Sequence, residues 1–323
     1  MDMHSITPIA AFDVEKGKAT AIGGGPLDLN ASQGYRWIHV NSQDEALRPW
    51  AKEHLPDIAA RALWQSETRP RCERLDDGLI LNLRSVNLNP ESDPEDMVSL
   101  RMWITEHAIV SARIRKVWAL DSIRQSAEAG AAPETAGEFL AELTYGLTSR
   151  IETVSLGLEE QTDELEEAIA EGRRIPTGKL GDIRQAVIKM RRFINPQREA
   201  ISMLATLENW IFAPDELALL RETANRTRRI VEELDATRDR LSALRDHIDA
   251  DRAHALSRNS YVLSVVAAIF LPLGFLTGLF GVNVAGMPGT TAPSAFWVLA
   301  GVSAVGGLAL VSDIQVCEVA LRD

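Results

Sequence analysis

Tyr261–Phe280 reads YVLSVVAAIFLPLGFLTGLF, twenty residues without a charge, a histidine or a thiol. It lies inside a longer uncharged block, Asn259 to Ser312, 54 residues in a chain whose charged fraction is 25 %. A bilayer excludes charge in this way, at about 2.5–3.5 kcal/mol for each central Lys, Arg or Asp. Twenty residues at helical rise are enough to cross about 30 Å of hydrocarbon. A second run, Ala295–Val311 (AFWVLAGVSAVGGLALV), has seventeen residues, the short end of spanning length. The intervening GVNVAGMPGTTAPS is rich in Gly, Pro and Thr and reads as an irregular turn. A hairpin of soluble core helices is the weaker reading, because such helices keep a polar face. The N-terminal MDMHSITPIA has neither the basic start nor the apolar core of a signal peptide. We therefore expect two spans, 260–283 and 295–312, joined by an outer loop at 284–294 and followed by a tail at 313–323.

Arg252 and Arg258 precede the first run, and the loop has no Lys or Arg. The positive-inside bias then puts the large N-terminal part and, after two spans, the C-terminal tail in the cytoplasm. Over all 323 residues, 34 Lys+Arg stand against 46 Asp+Glu, a formal charge of −12. That argues against a nucleic-acid partner, which requires a basic face. Cys72 and Cys317 form neither a disulfide framework nor a thiolate zinc site. The mean hydropathy of −0.07 conceals how unevenly the apolar residues are distributed.

Residues 1–130 alternate strand and helix signals, as a small α/β domain does. YRWIHVN (Tyr35–Asn41), GLILNLRSVNL (Gly78–Leu88), MVSLRMWIT (Met97–Thr105) and AIVSARI (Ala108–Ile114) read as strands, the last pair forming a hairpin across Glu106-His107. Two short helices follow the first strand, within SQDEALRPWAKEHL and DIAARALWQSE. Residues 131–259 are helical throughout. One helix runs from Glu134 to Glu171 and stops at Gly172, a second from Lys179 to Ala213 with a kink near Pro196, and a third from Asp215 without a break to Phe280. Sixty-six helical residues would measure about 100 Å. Ile230, Thr237 and Leu244, with Leu234, Leu241 and Ile248, form a heptad stripe on this third helix. It needs partners, either the two preceding helices or copies of itself. The fold class is α+β: an α/β domain, a long helical stalk and two C-terminal spans.

Gly281-Val282-Asn283 closes the first apolar run ahead of a Gly286-Met287-Pro288-Gly289 turn. In that position the tripeptide resembles the Gly-Met-Asn signature of the CorA superfamily of divalent-cation transporters. The Val variant is similar to the zinc-transporting ZntB branch, as is TRPRCERLDDGLILNLRSVNLNPESDPEDMVSLRMWI (Thr68–Ile104). The likeness covers essentially the whole chain. It implies a homopentamer in the inner membrane, with the first span lining a pore and a ring of Asn283 carboxamides at the outer mouth. Five neutral amide oxygens can hold a strongly hydrated cation through its water shell without stripping it. The bland account of Asn283, a helix C-cap, explains the residue type but not its setting.

Counting back along the first span, and allowing for a bend at Pro272, the face shared with Asn283 should include Gly278, Gly274, Leu271, Ala267, Leu263 and Ser260. None is a carboxylate, imidazole or thiol, so zinc would pass hydrated, with Leu271 and Leu263 as candidate dewetting gates. Gly274 stands where much of the family has a Thr. Below the span, His247, Asp251 and His254 fall on one helix face, a ligand set suited to zinc. Asp246 matches a regulatory cation-binding Asp of CorA proteins. The plainer reading of both is a solvated, ion-paired face. The acidic run Glu159–Glu171 would either draw cations or simply be a solvated helix end. The tail lacks the family's basic cluster, and the loop lacks the acidic residue common in magnesium-selective relatives, which agrees with the zinc branch.

We expect a transporter of Zn²⁺, with Cd²⁺, Ni²⁺, Co²⁺ and Mg²⁺ as further ions, that assembles with itself in a lipid bilayer and uses no cofactor. The alternatives are a Mg²⁺/Co²⁺ channel and a non-conducting membrane-tethered sensor or scaffold. Nothing in the sequence suggests an enzyme: it has no nucleophile–base motif, phosphate loop or HExxH.

Overall fold

The computed structural model describes the chain except residues 1–5, 24–26, 30, 32, 66–68, 174, 177, 208–209, 283–288, 290–291 and 321–323; within 311–320 it describes the backbone helix only. Two compact units emerge, Met1–Leu244 and Arg245–Asp323.

The first unit is built on a seven-stranded sheet. Its strands are β1 (Ala10–Glu15), β2 (Lys18–Ala21), β3 (Tyr35–Asn41), β4 (Arg71–Leu75), β5 (Gly78–Ser85), β6 (Val98–Ile104) and β7 (Ala108–Arg113), in the order β2-β1-β3-β7-β6-β5-β4. Only β3 and β7 pair in parallel, with Trp37 opposite Ile109. The chain makes a long excursion between them, as a parallel neighbour requires. The helices α1 (Leu47–His54) and α2 (Asp57–Trp64) cover one face, where Trp50, Leu63, Ile80 and Val110 meet. The helices α3 (Trp118–Glu128), α4 (Ala136–Ala170), α5 (Lys179–Leu204) and the start of α6 (Pro214–Gly281) bring Phe139, Leu147, Ile201 and Leu220 to the opposite face, against Leu81, Leu100 and Ile109. Covered on both sides, β5 is buried along nearly its whole length.

The boundary at 130/131 does not divide two compact units, because sheet and helices bury one apolar cluster together. The second unit carries the uncharged block. It begins at Arg245, where the helical bundle's buried stripe ends.

Below the sheet, α4, α5 and α6 form a bundle around Ile151, Leu158, Val187, Ile194, Ile230 and Leu234. The heptad stripe thus finds its partners within the same chain: Ile230, Leu234, Thr237 and Leu241 are buried, and Leu244 packs at the edge. Each buried Leu or Ile contributes about 1.5–3 kcal/mol. Hydroxyls interrupt the α4–α6 seam. Thr144 and Thr162 on α4, and Thr223, Thr227 and Thr237 on α6, each donate to a carbonyl four residues back on their own helix. Thr148 and Thr227 approach one another at 3.3 Å. Ion pairs flank the bundle: Arg226–Glu152 and Arg240 with Asp163 and Glu166 join α6 to α4, and Arg191–Asp235 joins α5 to α6. At partly exposed sites such pairs contribute about 0–1 kcal/mol each.

Local signals set the helix ends. Thr135 accepts a 2.9 Å bond from the Glu138 amide and starts α4. Gly172, at φ 67°, stops it, with the Arg173 amide donating back to Ala168. The second long helix is shorter than expected: α5 ends at Leu204, because Phe212 and Trp210 turn back onto the sheet core. Pro196 lies inside α5 and Pro272 inside α6, and neither ends its helix. The last helix, α7 (Ala295–Ala320), continues past the expected limit at 312 into the tail, where no Gly or Pro stops it.

One buried polar network pins the parallel strand pair. Arg113 Nε donates to His39 Nε2 at 2.8 Å, so the ring proton sits on Nδ1, which donates to Ser111 Oγ at 2.9 Å. Trp37 Nε1 donates to the same hydroxyl at 2.8 Å. Burial, aided by the Arg113 charge, lowers His39 to about 3. The unfolded chain, with an ordinary imidazole near 6.5, therefore takes up this proton first. The contribution of His39 is complete above about pH 6.5 and falls as pH drops toward 3, by as much as about 1.4 kcal/mol per pH unit. Thermal unfolding of the chain in detergent should show a Tm that drops between pH 7 and 5, with a shallower drop in His39→Asn. Parallel pH profiles for the two proteins would refute this role.

Candidate pore helix and metal site

The second unit contains the C-terminal part of α6 and all of α7. In the apolar stretch of α6 no residue is buried. Four side chains are partly covered, Val265, Ile269, Leu273 and Leu276. Their spacing of 4, 4 and 3 makes one helical stripe. On α7 the partly covered set is Ala295, Leu299, Ser303, Gly306, Gly307 and Leu310, also one stripe. The two helices meet here, and a Cβ on Gly307 would lie 3.6 Å from Leu273 Cδ1. Small residues at this point let the backbones approach, as in packing within lipid.

The expected pore residues lie elsewhere on α6. Gly278, Gly274, Leu271, Ala267, Leu263 and Ser260 are all exposed, Leu271 at 71 % and Leu263 at 70 %. At 100° per residue they fill a sector about 80° wide, whose centre is roughly 170° from the stripe that packs on α7. They form a face free for other contacts. Ser264 and Thr277 satisfy their hydroxyls on the helix itself, donating to Ser260 O and Leu273 O at 2.9 Å. Asn283 and the loop to Pro288 lie outside the described residues. The described helix α6 ends at Gly281, so the expectation that Asn283 shares this face is not tested. On a continued helix it would stand about 140° from Gly278.

The proposed metal ligands assemble only in part. His247 Nε2 lies 3.6 Å from Asp251 Oδ2, both well exposed, and His254 does not complete a cage. Among the described residues no group of three or more His, Cys, Asp or Glu could hold a metal ion. These three residues also face roughly opposite to the Gly278–Ser260 sector, and Asp246 sits beside that sector, apart from them. Much of the acidic run is neutralised locally. Glu164 pairs with Lys179 at 3.0 Å, Asp163 and Glu166 with Arg240, and Glu167 and Glu171 with Arg173. Arg240 holds the Glu166 carboxyl below the usual range by hydrogen bonding. A solvated, paired helix end accounts for this run.

One charged group was not expected from the sequence. Asp249 stands between Arg245 and Arg252, 3.6 Å from each. Its signal was available in the i−4 and i+3 spacing of the arginines.

A family model described as a CorA-like Mg²⁺ transporter protein matches residues 32–312, from the sheet to α7. This chain belongs to the CorA-like family. It is 37 % identical over 298 residues to the zinc transport protein ZntB of Pectobacterium carotovorum, covering 91 % of this chain and 90 % of the relative. It is 35 % identical over 267 residues to the divalent cation transporter CmaX of Pseudomonas aeruginosa, with 81 % and 80 % covered. A solved structure of full-length CmaX superposes with a TM-score of 0.83 at 30 % identity, over 96 % of this chain and 98 % of that one. The ZntB cytoplasmic domain of Vibrio parahaemolyticus gives 0.65 at 25 % identity, over 77 % of this chain and 99 % of that domain. The CorA-like fold, with its N-terminal α/β domain and long helix, follows from these matches and from the elements above.

Proposed function

We propose that this protein carries divalent cations, Zn²⁺ in particular, across the inner membrane as a homopentamer, with two spans per chain and both termini in the cytoplasm. The observation that carries this reading is the exposed face of α6. It is apolar, free of titratable groups from Ser260 to Gly278 and turned away from α7, on the helix that leads in sequence to Gly281-Val282-Asn283. Two spans cannot enclose water, so such a face becomes a conduit only when several copies turn it inward. Zinc is favoured by the likeness to ZntB and by the Val in the tripeptide. The likeness of 77 % of this chain to a ZntB cytoplasmic domain supports the orientation.

The chemistry of passage follows from that lining. Leu271 and Leu263 offer no ligand, so the ion keeps its water shell. Selectivity then falls to the carboxamides of Asn283, which bond to those waters. A Mg²⁺ channel is the second reading, favoured by the description of the family model. Radiometal uptake into proteoliposomes, with the particle mass measured in detergent, tests both. We expect a five-chain particle and Zn²⁺ uptake that survives excess Mg²⁺. A particle of one or two chains, or Mg²⁺ uptake with Zn²⁺ excluded, would overturn the proposal.

A further inference from the structure

One row of polar side chains crosses the sheet on the face that α1 and α2 cover. Arg71 on β4, Asn82 on β5 and Arg101 on β6 are cross-strand partners, and the row continues to Ala112 and Val40. Ala112 and Val40 belong to the apolar cluster under α1 and α2, as do Ile80 and Trp103, two residues along from Asn82 and Arg101. Alternation along each strand therefore aims the polar row at that same face. Neighbouring strands lie about 4.8 Å apart, so the arginines start about 10 Å from each other, with the short Asn82 between them.

Asn82 and Arg101 are each only 2 % exposed. The outer nitrogens of Arg101 are satisfied: Nη2 donates to Gln65 O at the end of α2 at 2.9 Å, and Nη1 to Ser42 Oγ at 3.3 Å. The carbonyl end of a helix answers part of a positive charge. No carboxylate among the described residues answers the rest, and burial lowers the pKa of Arg101 unopposed. Arg71 is 40 % exposed and pairs through Nη1 with Glu73 at 3.2 Å. The inner atoms are left over. Arg71 Nε, Arg101 Nε, and both Nδ2 and Oδ1 of Asn82 are buried without a hydrogen-bond partner among the described residues. Folded proteins leave few such atoms, and here a single row holds several, beside a charge without a counter-ion.

We propose that this row binds a small oxyanion that keeps one hydroxyl, of the hydrogen phosphate or hydrogen carbonate type. The two Nε–H groups and the Asn82 amide donate to the anion's oxygens, and Asn82 Oδ1 accepts from its hydroxyl. Either orientation of the amide offers one donating and one accepting end. Sulfate, with no proton to give, leaves Oδ1 unpaired. The anion enters past Arg71, the exposed member of the row, and supplies the negative charge that Arg101 lacks. This inference does not depend on the pore reading of α6.

Equilibrium dialysis of the full-length protein in detergent, near neutral pH in metal-free buffer of constant chloride, tests it. One arm uses radiolabelled phosphate, the other radiolabelled hydrogen carbonate. We expect saturable binding of one ion per chain in at least one arm, which also identifies the source. Arg71→Gln should weaken that binding at least about tenfold, as loss of one charge-assisted hydrogen bond does. Asn82→Asp should abolish it, because a built-in carboxylate then stands between the arginines. Without anion this variant should unfold no lower than the unsubstituted protein. At about ten times its Kd the anion should raise the Tm of the unsubstituted protein by about 3 °C and leave that of Asn82→Asp unchanged. Binding in neither arm would overturn the proposal and leave these atoms to buried water. Equal binding of sulfate, a lower Tm in Asn82→Asp, or binding that both variants retain, an adventitious ion only, would overturn it as well.

Discussion

Asn283→Ala should reduce Zn²⁺ flux at least about tenfold while leaving the oligomer and its thermal stability unchanged. A hydrogen bond to a charged species contributes roughly 1.5–3 kcal/mol, and about 1.4 kcal/mol corresponds to a factor of ten in rate. In the proposed ring the substitution removes one carboxamide from every chain at once, so even partial loss exceeds that factor. Asn283→Gln, which keeps the amide on a longer arm, should retain part of the flux. The measurement is initial Zn²⁺ uptake in proteoliposomes at matched protein content. Full activity in the alanine variant, with an intact particle, would leave a tethered sensor or scaffold as the better account.

Gly34→Ala should be the most damaging small substitution in the first unit. Gly34 enters β3 at φ 67°, and a Cβ there would stand 2.0 Å from Val14 O on β1. The left-handed backbone alone costs a non-glycine residue about 1–2 kcal/mol. The clash adds about 1–3 kcal/mol, because the obstacle is the backbone of a neighbouring strand and cannot rotate aside. Gly130→Ala isolates the first cost, since Gly130 has φ 90° and nothing within 4 Å of its Cβ position. In thermal unfolding the Tm loss at position 34 should be about two to three times that at 130. Equal losses would mean that β1 yields to the added methyl group.

Most of the interior of the sheet, β1 (AAFDVE) excepted, was legible because its strands announce themselves. β3, β5, β6 and β7 lie within the runs marked by Val, Ile, Leu and Trp, and Thr105–His107 makes the hairpin. The edges were not. β2 reads KATA and β4 reads RCERL, short and polar, as edge strands that must avoid other edges tend to be. α3 was missed for a different reason: WALDSIRQSAE buries Asp121 where Lys116 and Arg124 bond it, and a buried carboxylate is invisible to apolar periodicity. On the candidate site, spacing alone was enough to group Gly278 through Ser260 on one face. Spacing could not show that His247 and Asp251 pair without His254, because ligand geometry depends on rotamers as well as helical phase. Asp249 escaped notice because its two arginines made it look like any solvated surface charge.

The threonine-lined contact between α4 and α6 leads to a mechanical consequence. Most of its hydroxyls are already satisfied by their own helix, so the polar links that span the gap run chiefly through the Thr148–Thr227 approach and the flanking pairs of Arg226 with Glu152 and of Arg240 with Asp163 and Glu166. Such a seam fixes how far apart the two rods lie more firmly than where along its length each one rests. An axial slip of α6 would therefore be resisted chiefly at those flanking ion pairs, which would have to part or exchange partners.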